Sequence, residues 1–188
     1  MYTNPHNIIV TLVNELEKNE ASINRLIQAY QPSRNLIVLE GMRQTLPADA
    51  YPSLEIEPTS ASNQWATTRS QRPRYQLQFT LTVLNDNEDF GVEYIASLAT
   101  RLVEILTSPE NLQLRVLGET RWDPVHGLSD TYLLDSLIED VTYNAMKEGS
   151  IRTVEFSWFG LIHEPFPDSK WLYGSSDTPT ILRPGLVA

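Results

Sequence analysis

Hydrophobic residues near the amino terminus recur at the three- and four-residue spacing of an amphipathic helix. Asn4 can accept a hydrogen bond as the N-cap, and Pro5 suits the first helical position. The apolar stripe is interrupted over Asn19–Ser22, so the pattern allows either one long helix or two short ones, and Gln31–Pro32 ends it. The stripe comprises Ile9, Leu12, Val13, Leu16, Ile23, Leu26, Ile27 and Tyr30.

The clearest strand runs over residues 75–83, where large apolar residues alternate with glutamine and threonine. This alternation predicts one buried face and one wet face. The polar stretch Thr59–Arg72 is predicted to be a loop or a long β-arm, and Trp122–Asp130 a turn-rich connection. Pro58 is expected to limit the pairing of the strand before it. Shorter strands are predicted at Leu36–Leu39, Ser53–Glu57 and Leu112–Val116.

A second amphipathic helix follows the acidic turn Asn85–Asp89, which supplies an N-cap and the negative charge that a helix N-terminus favours. This helix is expected to end near Ser108–Pro109. Its apolar positions are Val92, Ile95, Ala96, Ala99, Leu102, Val103 and Leu106. Farther along, Leu137–Ala145 and Ile151–Ile162 predict a β-hairpin, with Trp158 on the buried face of its second strand.

The order helix, strands, helix, strand and hairpin predicts an α+β fold. We expect a mainly antiparallel sheet with two principal helices packed on one face, all within one domain over residues 1–163. From Glu164 onward four prolines interrupt a segment that has few periodic apolar residues. Residues 164–188 are therefore predicted to be an extended, proline-rich tail outside the compact core.

Composition narrows the functional classes. The 188 residues include no cysteine, which excludes disulfides, thiolate catalysis and cysteine zinc sites. The formal net charge of −10 argues against binding nucleic acid through its phosphates, because that needs clustered cations. With no secretory signal and no apolar run of membrane-spanning length, the chain is expected to be soluble and made in the cytoplasm.

Candidate chemistry is sparse, so we predict that the protein is not an enzyme and needs neither cofactor nor metal. His6, His126 and His163 are far apart in sequence, and none has a partner at metal-ligand spacing. The acidic turn at Asn85 fails as a calcium loop, since positions six and twelve are not Gly and Glu. Glu139 and Asp140 would point to opposite faces of a regular strand. An enzyme acting on a small molecule or cell wall is the alternative, which a pocket of converging carboxylates or histidines would support.

Two segments instead suggest docking surfaces. The local basic cluster of Arg69, Arg72 and Arg74, near Trp65, suits salt bridges to acidic neighbours, either within the chain or on another subunit. The second candidate is the aromatic segment Trp171, Leu172 and Tyr173 in the proline-rich tail, because exposed aromatic residues concentrate interface energy.

The order of these elements resembles the tail-terminator and tail-completion (neck) proteins of long-tailed bacteriophages. The resemblance covers roughly residues 5–163 and is carried by loose motifs: the proline-flanked strand Tyr51–Pro58, the Trp-containing polar arm, Arg72-Pro73-Arg74-Tyr75 opening the alternating strand, and Val103–Leu106 closing the second helix before a proline. It implies a virion protein, assembled in the host cytoplasm, that forms a ring, usually a hexamer. Such a ring caps the head-proximal end of the tail tube and joins it to the neck.

The resemblance also implies partners: further copies of the chain, the tail tube protein, neck or connector proteins and, in contractile tails, the sheath. DNA passes through the ring without specific binding, and no membrane is involved. An acidic lumen would repel phosphate and let DNA slide, and Asp86, Glu88 and Asp89 are the candidate lumen residues. The alternatives are a head-tail adaptor or stopper of the neck, and the cap of a phage-derived contractile injection system.

Overall fold

Three helices and six strands make up the parts of the chain that this computed structural model describes, residues 3–40, 50–66, 70–84, 88–111, 114–123, 127–145 and 151–165. The helices are α1 (Pro5–Lys18), α2 (Glu20–Tyr30) and α3 (Glu88–Leu106). The strands are β1 (Ile37–Glu40), β2 (Ser53–Ala66), β3 (Ser70–Leu84), β4 (Arg115–Asp123), β5 (Gly127–Ala145) and β6 (Ile151–Pro165).

The amino-terminal pattern resolves into two short helices. The Asn4 side chain accepts a hydrogen bond from the His6 amide at 3.1 Å, and Pro5 opens α1, which confirms the predicted cap. Asn19 both ends α1 and begins α2, and its side-chain amide donates back to the carbonyl of Glu15. The interruption at Asn19 therefore separates the two helices.

The strands form one six-stranded sheet in the order β1-β2-β3-β6-β5-β4. β1 pairs with β2 in parallel, and every other neighbouring pair is antiparallel. α3 packs against β3 and β6, while α1 packs against β4 and β2. The predicted α+β class, with a mainly antiparallel sheet and helices on one face, is confirmed. Of the two alternatives for the amino-terminal stripe, the structure shows the two short helices.

The alternation along residues 75–83 places its apolar members in the core, where each is at most 1% exposed. They face alternate residues of β6, and Phe79 stacks on its register partner Phe156 with ring centres 5.1 Å apart. Trp158 is fully buried, as predicted. Burial of aromatic side chains of this size dominates core energetics, so the β3–β6 pair is the centre of the fold.

Two polar stretches are paired strands: the segment predicted to be a loop or a long β-arm contains the end of β2 and the start of β3, and part of the predicted turn-rich connection is also strand. β2 continues through a bulge after Pro58 and remains paired with β3 as far as Ala66. β4 and β5 form a hairpin across the predicted connection, with Trp122 opposite Leu128, so the turn-rich assignment of Trp122–Asp130 is wrong over those strand residues. Polar strand residues of this kind lack the alternation that a one-sided core imposes, so the pattern left loop and β-arm open for the first stretch and missed the strands of the second.

The buried face of α3 and the end of β6 also differ from the sequence expectation. Val92 is 56% exposed and lies off the buried face of α3, whereas Tyr94 and Leu98 are fully buried. Glu164, the first residue of the predicted tail, lies within β6 and is fully buried. Residues 166–188, the remainder of the predicted tail, lie outside the described residues.

Candidate interaction surface

The sheet face that points away from the core carries a polar cluster centred on Arg74. Its guanidinium donates to the Glu139 carboxylate at 3.3 Å and lies 4.0 Å above the centre of the Phe159 ring. These contacts join β3, β5 and β6 across one face. Exposed ion pairs contribute about 0–1 kcal/mol, so the cluster orders the surface more than it stabilises the fold.

An open depression surrounds this cluster and is lined by Arg74, Asp135, Ser136, Leu137, Glu139, Phe159 and Leu161. Two carboxylates, those of Asp135 and Glu139, therefore lie in one depression. Both residues are exposed to solvent, and Glu139 is engaged by Arg74. The depression therefore combines exposed charged groups with the apolar side chains of Leu137, Phe159 and Leu161, a mixture that suits a contact surface.

β5 carries an unusual number of exposed large apolar side chains. Leu137 is 40% exposed, Val141 42% and Tyr143 54%. The strand has a bulge between Glu139 and Thr142, so Val141 lies within it. Asp140, in the same bulge, adopts a left-handed backbone conformation with φ of 56°. The regular alternation needed to place Glu139 and Asp140 on opposite faces is therefore absent at this point of the strand.

A buried carboxylate fastens the amino terminus to the end of β6. The Thr3 amide donates to Glu164 Oε1 at 2.6 Å, and the Tyr75 hydroxyl lies 2.7 Å from the same oxygen. Burial, and then the adjacent Glu164 carboxylate, hold the pKa of Tyr75 well above its ordinary value. A buried carboxylate needs such donors, so the cluster acts as a structural tie between residue 3 and the sheet.

The two described histidines, His6 and His163, have different partners. His6 Nδ1 lies 2.7 Å from Glu40 Oε2, where it links α1 to β1. His163 lies on β6, and burial together with the nearby Arg72 lowers its pKa. His126 lies outside the described residues. Over the described ranges, no group of three or more His, Asp and Glu side chains is arranged to hold a metal ion.

The predicted interface residues fall into two groups. Arg72 is exposed on β3, and Arg74 pairs with Glu139 of its own chain. The β2 backbone at Trp65 pairs with Arg72. For the other predicted surface positions, either the whole residue or its side chain lies outside the described part of the structure. These positions are Trp65, Arg69, Asp86, Glu88, Asp89, Trp171, Leu172 and Tyr173.

The apolar surface of β5 was not among the sequence predictions, although the sequence contains a signal for it. Leu137 and Ile138 are adjacent apolar residues on one strand, and successive strand side chains point to opposite faces. Ile138 packs against the core. Leu137 therefore had to lie on the other face. Separately, where the structure is described, no helix has the length and apolar composition required to cross a membrane.

Comparison with known proteins identifies no family: no family model and no curated protein matches the sequence. Among solved structures, one chain from the virion of a native gene transfer agent particle is 8% identical, with a TM-score of 0.49 over 81% of this chain and 92% of that one. Another, which bears no functional description, is 15% identical, with a TM-score of 0.45 over 85% and 96%. Both TM-scores are below 0.5, so neither similarity carries an argument about function.

Proposed function

We propose that the chain is a structural subunit of a phage-like virion, which assembles with copies of itself into a ring at the head-proximal end of the tail. In that position it ends the tail tube and joins it to the neck. The ring and its position come from the family resemblance of the sequence pattern. The docking role has independent support from the surface of the molecule.

The observation that carries the docking role is the set of exposed apolar side chains along β5. Leu137, Val141 and Tyr143 are each at least 40% exposed on a strand held in the main sheet. The register places Leu137 opposite Phe159 on the outer face and Tyr143 opposite Val154 on the core face, so this strand exposes apolar side chains on both sides. Exposed apolar surface on a soluble protein often marks an interaction site. Because the side chains project from a paired strand, docking costs less ordering entropy than it would from a loop.

The charge of the chain suits this proposal. A net charge of −10 opposes tight binding of duplex DNA. A ring whose lumen is acidic would let DNA pass without retaining it, because like charges repel. Asp86, Glu88 and Asp89 are the lumen residues proposed from the sequence, and a structure of the assembled ring with a basic lumen would contradict their role.

Native mass spectrometry of the full chain, together with negative-stain imaging, tests the ring. We expect a closed oligomer with a central opening wide enough for duplex DNA, roughly 20 Å. Val141→Ser on β5 should shift the population toward monomer. Val92→Ser on α3 is the matched control, since the same substitution is made at a similarly exposed valine. A chain that stays monomeric at all concentrations, or equal effects from both variants, would contradict the proposal.

Position in the virion requires a separate binding experiment. A tail terminator should sediment with purified tail tubes, whereas a head-tail adaptor or stopper should bind purified portal instead. Binding to tubes alone supports the proposed role. Binding to portal alone would favour the adaptor, and capping of the tube of a contractile injection system would assign the chain to that assembly.

A further inference from the structure

Two long stretches of strand edge, on opposite sides of the sheet, have no pairing partner among the described strands. β1 pairs with β2 only along Ser53–Ile56, and residues 58–66 of β2 have no described strand on their outer side. β4 covers β5 only as far as Tyr132, and the Leu133 amide still bonds to Leu114. Residues 134–145 of β5 likewise have no described strand beyond them. Edges of this kind offer unpaired amides and carbonyls to a second chain.

The topology determines how these two edges would meet. Three successive antiparallel pairs separate β2 from β5, so the two strands run in opposite directions within one sheet. A neighbouring copy related by rotation about an axis roughly along the strands therefore presents its β2 antiparallel to β5 of the first copy. Antiparallel pairing is the more stable ladder, and a rotated head-to-tail contact is the type that closes a ring.

The short outer strands fix the relative shift of the copies. Through the register, Glu57 of β2 is level with Glu139 of β5. Aligning residues 58–66 with residues 134–145 moves the neighbour by about four residues, or roughly 13 Å, along the strands. β1 and β4 then lie at opposite ends of the new pair and do not collide. A stagger of this kind inclines the strands to the ring axis, as in closed barrels.

Charge favours this head-to-tail pairing over a symmetric one. The free edge of β5 carries the exposed acids Asp135, Glu139 and Asp140, and two such edges placed together would oppose like charges. Residues 58–66 of β2 are uncharged. The adjoining β3 carries Arg72 and Arg74, which would lie one strand in from the contact and within a Debye length of the acidic edge.

We propose that copies of the chain join head to tail by antiparallel pairing of residues 58–66 of β2 with residues 134–145 of β5 in the next copy. The proposal rests on the proposed self-association and names the surfaces that mediate it. The sheet then continues from copy to copy around the ring. The exposed side chains of Leu137, Val141 and Tyr143 become covered by the neighbouring strand.

Thiol cross-linking tests the pairing directly, because the chain has no cysteine of its own. The variants are Ser60→Cys on the β2 edge and Val141→Cys on the β5 edge, both exposed. Each single variant is assembled alone, and the two are also assembled as a mixture, before treatment with a short bis-maleimide. We expect covalent dimers in the mixture and none in either variant alone, since each interface joins one edge of each kind.

The control mixture pairs Ser60→Cys with Val92→Cys on α3, which is exposed but lies outside the proposed contact. Rings that give no Ser60–Val141 dimer would overturn the pairing while leaving the proposed function intact. Dimers from Val141→Cys alone would also overturn it, because they require two β5 edges to meet. Absence of any ring by native mass spectrometry would reject the proposed function together with this inference.

Discussion

Gly160 provides the sharpest test of how the core is packed. A Cβ atom built on this residue would lie 2.0 Å from Cη2 of Trp158, 2.6 Å from Cζ3 and 2.8 Å from Cζ2. Residues 158 and 160 lie on the same face of β6, so the indole ring extends across the space that a side chain at 160 would occupy. The prediction is that Gly160→Ala destabilises the fold through this contact.

The magnitude follows from the distances and the burial of the ring. Non-bonded carbon atoms are most stable at about 3.5–4.0 Å, so the ring would have to move by roughly 1.5 Å. Trp158 is fully buried among close-packed neighbours, which leaves no vacant direction. Overpacking usually costs about 1–3 kcal/mol, and we expect the upper end, near 3 kcal/mol. For a domain of this size, that lowers Tm by about 6–12 °C.

Urea unfolding followed by far-UV circular dichroism measures the free energy of unfolding, at a fixed protein concentration so that self-association contributes equally. The matched control repeats Gly160→Ala in a Trp158→Phe background, where the smaller ring leaves room for the methyl group. In that background the cost should fall below about 1 kcal/mol, since contacting residues are energetically coupled. A cost below about 0.5 kcal/mol in the wild-type background, or equal costs in both backgrounds, would refute the reasoning.

Three further predictions concern polar groups. Tyr75→Phe removes a hydroxyl beside the buried Glu164 carboxylate and should lower the free energy of urea unfolding by about 1–3 kcal/mol, whereas no measurable change would contradict the structural tie. Asn4→Ala should cost about 1 kcal/mol by the same assay because the helix N-cap is lost, and Asn4→Asp, which retains the cap, should not. The pKa of His163 measured by NMR should lie below 6.5. The protonated form of His163 is disfavoured only in the folded state. The free energy of unfolding should therefore keep its full value above pH 6.5 and decrease as the pH falls below 6.5. Arg72→Gln should raise that pKa only in part, since burial is the larger cause, and a full return to 6.5 would contradict this order.

The local sequence pattern was sufficient to predict those elements that are determined by residues close together in the chain. Alternation over residues 75–83 identified the central strand, and Asn4–Pro5 identified the start of the first helix. Both are decided by neighbours within a few residues, through backbone capping and the two-residue period of a strand. The α+β class followed from the order of these elements along the chain.

The pairing of polar strands was decided only by the tertiary structure. Residues 59–66 and 120–123 lack a clean alternation, and they are paired strands because β3 and β5 supply hydrogen-bond partners for their backbones. Glu164 is buried because Tyr75 and the Thr3 amide, distant in sequence, meet at its carboxylate. Such long-range partners leave no local periodic signal.

What the sequence by itself determined, then, is a helix cap, a central strand, a fold class and a chain without cysteine. Which edges stay open depended on the lengths of β1 and β4 relative to the strands that they cover. Strand length can be predicted from a pattern only where one face is buried and the other is wet. The outer edges of β2 and β5 are polar or mixed, so only the three-dimensional register showed how far the other described strands cover them.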